Sequence, residues 1–408
     1  MIHLSVWITL PDGAQVKVGE LACSDPDGDG RFASEFAYDP AWLRHPNRFP
    51  LDPVSLPLNG SRFSGHQLEP PLGVVEDALP DDWGRALIIR RRQLPRAQQS
   101  APFLLQELVE QGAGLGAIMF ARGRGKTPVR AAGRKLDLAM LAEAAGRFEA
   151  GLEADPDGLQ MLFAAGSSLG GARPKALVSD ATVEWIAKFP SVQRDGRFDV
   201  VGLEAVGLDL AEQAGIDVPA HDLRRLGDTA QRALLVERFD VVGATGRRHM
   251  VSLKTLCKER PGAYALAYTE LAEVVRKVTA NPQDNVQRLY QQMVFNAAFG
   301  NTDDHLKNFW LVHDAGGYRL SKAFDLVPDV GERREHTLAF EYERGAPTRS
   351  ELLRLAQRWN VPTAEDLIDA VVASVGEFAA VAEARGVPPF NIAEIGADVA
   401  RRARRLAR

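Results

Sequence analysis

The sequence predicts an α+β chain, β-rich toward its N-terminus and mostly helical toward its C-terminus. Three observations carry this expectation. Ile2, Leu4, Val6, Ile8 and Leu10 alternate with His3, Ser5, Trp7 and Thr9, the period of a half-buried strand. A glycine-rich segment over residues 164–175 is followed by two short apolar runs separated by a turn, the pattern of a loop and a hairpin. From Tyr264 onward the apolar residues fall at helical spacing, with Leu271, Val274 and Val278 on one face.

Composition narrows the function classes. With 408 residues, 45% apolar and 25% charged, the chain can bury a sizeable core in two or three domains. A net charge of -5 excludes a global basic field of the kind that draws nucleic acid. Basic residues cluster only at Arg90-Arg91-Arg92 and from Arg401 to Arg408; these read first as solvated helix faces, and second as a partner or nucleic-acid surface. Cys23 and Cys257 stand far apart, which argues against a disulfide framework or a zinc site. The start lacks a basic segment followed by an apolar one, and there is no 18-residue apolar run, so a cytoplasmic protein is expected.

Taken in order, Pro11-Asp12-Gly13 turns the first strand into a second at Gln15 to Gly19, and Phe32, Phe36 and Tyr38 mark a third. Leu79 to Arg85 reads as a loop into a helix at Ala86, with Asp81 or Asp82 as its cap. Gly112 to Gly125 reads as a flexible loop, because no Gly-Lys-Ser/Thr follows it. A helix is expected over roughly 137–150. Ala176-Leu177-Val178 and Thr182 to Phe189 form the hairpin, with Lys188 near its end. Phe198 to Ala214 is a helix stopped near Gly215, and Ala233 to Asp240 an apolar strand ending in charge. Asp284 is the expected cap of a helix that Gly300 ends. Short strands follow at Trp310-Leu311-Val312 and Tyr318-Arg319-Leu320, and Thr363 caps a helix running to about Gly386.

Chemistry concentrates in Gly300 to Trp310. Asp303 and Asn308 are five residues apart, the spacing at which a protein-kinase catalytic loop carries its hydroxyl-orienting Asp and its metal-binding Asn. Asp325 supplies a second metal acid. Upstream, the glycines would let backbone N–H groups approach phosphates, and Lys188 would neutralise them. Glu204 would pair with Lys188, against the alternative of a solvated glutamate. Read alone, Asp303-Asp304-His305 is also compatible with a capped structural loop or a metal-hydrolase site. Asn308, Asp325 and Lys188 favour phosphoryl transfer, and a hydrolase would need further ligands at metal spacing.

Five stretches occur together and in order: Ser168 to Lys175, Trp185 to Pro190, Val236 to Asp240, Asn301 to Asn308, and Phe324-Asp325-Leu326. Together they resemble the motif set of the HipA family, serine/threonine-kinase toxins of bacterial toxin–antitoxin modules. Gly30-Arg31-Phe32 and Asp77 to Arg85 resemble the family's N-terminal region, so the likeness spans nearly the whole chain. It implies a bilobal, protein-kinase-like fold. Residues 1–125 would be the N-terminal region, 126–240 the nucleotide-binding part of the N-lobe and 241–408 the helical C-lobe. It implies an ATP- and magnesium-dependent kinase acting on a translation-related protein, with glutamyl-tRNA synthetase the family's best-known substrate, and a small helix-turn-helix antitoxin, HipB, as partner. DNA contact would be indirect, through the antitoxin. By the same resemblance Asp303 is the catalytic Asp, Asn308 and Asp325 the magnesium ligands and Lys188 the phosphate-contacting lysine. Gly170, Gly171, Ala172, Arg173, Pro174 and Lys175 form the phosphate loop. Glu237, Arg238 and Phe239 form the hinge, His305 and Lys307 occupy active-site loop positions, and Ser168 is the autophosphorylated serine. Two points stay open: whether Asp303 or Asp304 faces the substrate, and whether Ser167 or Ser168 takes the phosphate. A small-molecule kinase and a non-catalytic antitoxin partner are the competing functional readings.

Overall fold

The computed structural model describes residues 1–27, 31–66, 72–99, 101–111, 114–123, 137–152, 156–166, 171–180, 183–258, 266–331 and 335–408. They form two compact units that interleave along the chain. The first holds Met1–Phe189, Arg238–Pro261 and Leu311–Gly317; the second holds Pro190–Glu237, Gly262–Trp310 and Tyr318–Arg408.

The first unit is built on the antiparallel sheet expected at the start of the chain. Strands β1 (Ile2–Thr9), β2 (Gln15–Cys23), β3 (Ala33–Tyr38), β4 (Arg62–His66) and β5 (Ile118–Arg122) lie in the order β4-β3-β2-β1-β5. β5 falls inside the glycine-rich segment that was expected to be a loop. Its run Ile-Met-Phe-Ala-Arg pairs with β1 from Ile8 back to Leu4, so tertiary pairing overrides the local glycines. There is a second departure. β1 was expected to be half-buried, yet Ser5 and Thr9 are buried alongside Leu4, Val6 and Ile8. The buried hydroxyls are satisfied internally: Ser5 bonds the Gly123 carbonyl, and Thr9 the Met119 sulfur at 3.8 Å. A second hairpin, β6 (Lys175–Asp180) and β7 (Val183–Lys188), matches its expected place.

One buried cluster of charge in this unit is held by ion pairs. Arg238 is 5% exposed and donates to Glu184 at 2.8 Å and to both Asp240 oxygens at 3.0 and 2.6 Å. Asp240 in turn accepts the Gly116 N–H at 2.8 Å, and Arg247 reaches the other Glu184 oxygen. These charges raise the Arg238 pKa against the desolvation that opposes it.

The second unit is mostly helical, around the buried helix Pro282–Phe299. Leu289, Met293, Phe295 and Phe299 on it are fully buried, each worth roughly 1.5–3 kcal/mol. Helices Ala364–Gly376 and Pro389–Leu406 pack against it. Its cap is Asn281, with Pro282 at the first position, and not Asp284; Asp284 lies within the first turn, where its charge favours the helix N-terminus. The helix expected from Thr363 to Gly386 breaks at Glu377 into Ala364–Gly376 and Phe378–Ala384. Helix Val200–Gln213 stops before Gly215, as expected, and Glu204 on it is buried rather than solvated. The apolar strand β9 (Arg232–Glu237) pairs with β8 (His221–Arg225), which the polar sequence His-Asp-Leu-Arg-Arg had concealed. Among the described residues no helix is long and apolar enough to cross a membrane.

Two histidines of the first unit make stability pH-dependent. Burial lowers His249 to a pKa of about 3 and His313 to about 4, so both are held neutral. Unfolded, each binds a proton near pH 6.5. Their contribution is therefore complete above about pH 6.5 and is lost as pH falls toward 4 and 3. Going from pH 7 to pH 5 should lower the unfolding free energy by about 2 kcal/mol per histidine. Denaturant midpoints across that range check it, and a flat profile contradicts it.

Candidate functional site

The 300–310 loop begins where the Pro282–Phe299 helix ends. Gly300 caps that helix with φ +78°, a left-handed conformation that favours glycine. The Gly300 and Asn301 N–H groups both return to the Asn296 carbonyl at 3.0 Å. The next two acids part company. Asp304 is fully buried and accepts four hydrogen bonds. One oxygen takes the Thr337 and Leu338 N–H groups at 2.8 and 3.3 Å; the other takes the Tyr268 hydroxyl at 2.7 Å and His336 Nδ1 at 3.0 Å. Because a carboxylate only accepts, the Nδ1 proton of His336 points at Asp304. Tyr268 also accepts from Asn296 at 2.9 Å, and its pKa is pushed well above the usual tyrosine value, first by burial and then by the Asp304 charge. Asp303, one residue earlier, is exposed.

The rest of the loop is fixed from the same side. Asn308 is 7% exposed, and its Nδ2 donates to the Asp303 carbonyl at 2.8 Å. That bond ties the two residues of the five-residue spacing together and leaves Oδ1 as the side chain's acceptor. His305 precedes a 3-10 turn, Leu306–Asn308, and its carbonyl accepts the Asn308 N–H at 2.9 Å. The Lys307 carbonyl accepts the Trp310 indole at 2.6 Å. Asp325 adopts φ +58°, which costs a non-glycine residue roughly 1–3 kcal/mol and is tolerated best by Asn and Asp. Asn301 Nδ2 donates to the Asp325 carbonyl at 3.5 Å, and the adjacent Leu326 carbonyl lies so close to Gly207 that a Cβ there would collide with it.

The first unit holds the other expected residues apart from Glu237, which belongs to the second. Ser168, with Ser167, and Gly170 lie outside the described residues. Gly171 has φ +87°, and its N–H donates to Asp81 at 2.9 Å. Trp83 adds two bonds to this segment, its N–H to the Gly171 carbonyl at 3.1 Å and its indole to the Lys175 carbonyl at 3.0 Å. Asp81, expected as a helix cap, stands at the N-cap of Asp82–Arg92 without capping it through its side chain. Ala172 and Arg173 are half-buried. The Pro174 carbonyl accepts the Phe189 N–H at 2.9 Å. Lys175 on β6 and Lys188 on β7 are directly opposed in the hairpin. Like charges so placed repel and favour an anion beside them. Glu237 ends β9 and bonds Ala220, and Phe239 is half-buried. The Arg238 guanidinium, expected at the nucleotide, is committed to Glu184 and Asp240.

The donors fit magnesium. Asn308 Oδ1 and the Asp325 carboxylate are hard oxygen ligands, and two such ligands suit an ion shared with phosphates and water. Among the described residues no three His, Cys, Asp or Glu side chains form a metal cage.

A family model described as the HipA N-terminal domain matches residues 13–120, and one described as a HipA-like C-terminal domain matches residues 167–380. Two kinase-named proteins of Sinorhizobium fredii are similar to this chain. Y4mE is 26% identical over 321 residues, 72% of each protein. Y4dM is 29% identical over 222 residues, 49% of this chain and 52% of that one. Among solved structures, a Shewanella oneidensis MR-1 toxin–antitoxin complex of HipA, HipB and operator DNA gives a TM-score of 0.70 at 21% identity, covering 99% of this chain and 97% of the other. The fold is therefore α+β and kinase-like, as the sequence predicted.

The unequal burial of the two acids gives opposite mutational signatures. Asp304→Asn replaces an acceptor-only group with one that cannot accept all four donors. It should cost about 2–4 kcal/mol in unfolding free energy. Asp303→Asn, at an exposed position, should stay within about 0.5 kcal/mol of wild type. Denaturant titration of both variants checks this, and equal losses would contradict it.

Proposed function

Because the chain belongs to the HipA family, we propose that it is an ATP- and magnesium-dependent serine/threonine protein kinase. The observation that carries the reading is the split between Asp303 and Asp304. Asp304 is consumed in holding the loop, and Asp303 stands exposed beside the pinned Asn308. In this reading Asp303 accepts the proton of a protein serine or threonine hydroxyl. The hydroxyl oxygen bonds to the γ-phosphorus, and the bond to the bridging oxygen breaks to release ADP. Asn308 and Asp325 hold magnesium, which would neutralise and align the phosphate oxygens when bound. Lys188, Lys175 and Lys307 offset charge on the transferring group. Gly171 to Lys175, continuing Gly170, receive the phosphates, and Glu237 and Phe239 flank the base. Arg238 would act through its backbone and by fixing Glu184, four residues before Lys188 on β7.

The proposed division of labour follows the sequence: an N-terminal region over 1–125, a nucleotide-binding part over 126–240 and a helical lobe over 241–408. The proposed substrate is a translation-related protein, with glutamyl-tRNA synthetase the first to test. Ser168 is the proposed autophosphorylation site, and growth arrest the outcome. A HipB-like helix-turn-helix antitoxin is the proposed partner, supported by the HipA–HipB–DNA neighbour, with DNA reached through it in the cytoplasm.

Labelling a cell lysate with radioactive ATP tests the reading. Wild type should label a discrete protein band. Asp303→Ala should reduce labelling by roughly 10²–10⁴-fold, the contribution of a general base. Asp325→Ala should abolish the magnesium dependence together with the activity. Transfer at wild-type rate by Asp303→Ala would refute the assignment, and label in a small molecule instead of protein would refute the substrate class. A single-phosphate mass shift that vanishes in Ser168→Ala checks autophosphorylation.

A further inference from the structure

The arginine-rich C-terminal helix does not simply face solvent. It forms one wall of an open cleft of about 1340 Å³ within the second unit. Arg401, Arg404, Arg405 and Arg408 are exposed along helix Pro389–Leu406 and just beyond it, at the one-turn spacings that share a face. Arg349 enters from the first turn of helix Arg349–Trp359, and the buried Arg402 also lines the cleft. These six arginines meet three lining carboxylates, in a chain whose net charge is -5. Two of the carboxylates are already engaged. Asp398 serves both Arg401 and Arg402, and Glu394 pairs with Arg197 at 2.5 Å. Arg404, Arg405 and Arg408 form no ion pair among the described residues, and Arg405 donates to the Pro347 carbonyl at 3.1 Å. Basic residues in a last helical turn complement the helix dipole. That accounts for Arg404 and Arg405, while Arg349, arriving from another helix, pairs with Asp369 at 2.7 Å and donates to the Leu406 carbonyl at 3.3 Å.

The cleft connects to the 300–310 loop. Arg402 donates to Asp398 at 2.6 Å, and its other arm lies 3.4 Å from His336 Nε2. His336 in turn bonds Asp304 through Nδ1 at 3.0 Å. A Cβ on Gly300 would lie 3.0 Å from Arg402 Nε, so the start of the loop rests on the same guanidinium. Asp329, another lining residue, donates its N–H to the Gly300 carbonyl at 2.9 Å.

We propose that this cleft binds a compact ligand bearing several phosphates, and that its occupancy is transmitted through Arg402 and His336 to the 300–310 loop. Guanidinium groups match phosphate oxygens in paired hydrogen bonds, and a cluster of exposed ones that includes Arg404 and Arg408 favours a multivalent anion. A concave site of this size suits a compact ligand with more than one phosphate better than a duplex backbone. The proposal stands whether or not the chain transfers phosphate.

The test uses the full chain and inorganic tripolyphosphate, by calorimetry at low ionic strength. Binding should be saturable and roughly tenfold or more weaker in the Arg404→Ala/Arg408→Ala double variant, both positions being exposed. Because tripolyphosphate could also enter a nucleotide site, Lys188→Ala is the comparison and should bind it nearly as wild type does. Amide hydrogen exchange over residues 300–310 should slow when the probe binds. Absence of binding, an unchanged double variant, or a loss confined to Lys188→Ala would overturn the site. Unchanged exchange would overturn the coupling. A short DNA duplex that displaces the probe at lower concentration would overturn the compact-ligand assignment.

Discussion

The second unit's site depends on one buried carboxylate. Asp304 has no contact with water, so its charge is tolerated only because four donors converge on it. They come from two places in the chain, Tyr268 on one helix and the segment His336 to Leu338. The network runs on through Asn296 to Asn301, which reaches the Asp325 carbonyl. At Asp304 every acceptor position is met, which fixes one geometry, while Asn301 Oδ1 at the far end of the network is buried without a partner among the described residues. The loop is therefore held from behind by the bonds to Asp304, and Asp303 is tied in through its carbonyl, which accepts from Asn308. This is what a site requires when an acid must keep its position while its carboxylate faces solvent.

The first unit answers the complementary problem of holding positive charge in place. Lys175 and Lys188 oppose each other across β6 and β7, a pairing unfavourable in itself. The surrounding bonds resist relaxation of that hairpin. Trp83 grips the carbonyls of Gly171 and Lys175, Asp81 takes the Gly171 N–H, and Arg238 locks Glu184. The role of the Leu79 to Arg85 stretch follows from these contacts. It braces the described end of the glycine-rich segment, which links the N-terminal region to the nucleotide chemistry proposed for its neighbour.

Much of this was legible in the sequence because it is locally encoded. The period-two run of β1, the Gly300 stop and the Asp303–Asn308 spacing need only neighbours in the chain. What was missed depends on residues far away. β5 forms among glycines because β1 offers it an edge, and β8 is polar because pairing with β9, not its own burial, defines it. Asp303 and Asp304 are the same residue type side by side, and only the fold distinguishes them. The signal that could have separated them is His336, thirty-two residues on, whose buried side chain reads in sequence as an ordinary loop histidine. The partners of the Arg238 guanidinium were hidden for the converse reason: the motif gives its position, and the carboxylates Glu184 and Asp240 that it binds are invisible to spacing.

The backbone at Asp325 shows how function-bearing geometry is stabilised at a distance. A left-handed aspartate is unfavourable alone, so its surroundings must over-determine it. Two features do so. Asn301 binds the Asp325 carbonyl, and Gly207 lets helix Val200–Gln213 come close enough to pack on the Leu326 carbonyl. Any side chain at 207 would push that carbonyl away and release the turn, although residue 207 carries no polar group and lies more than a hundred residues from the acid it positions. Gly300 plays the same part for Asp303, since the space a Cβ would need is held by Arg402. The polar residues of the loop specify the chemistry, and the glycines behind them determine whether those residues can take up their positions.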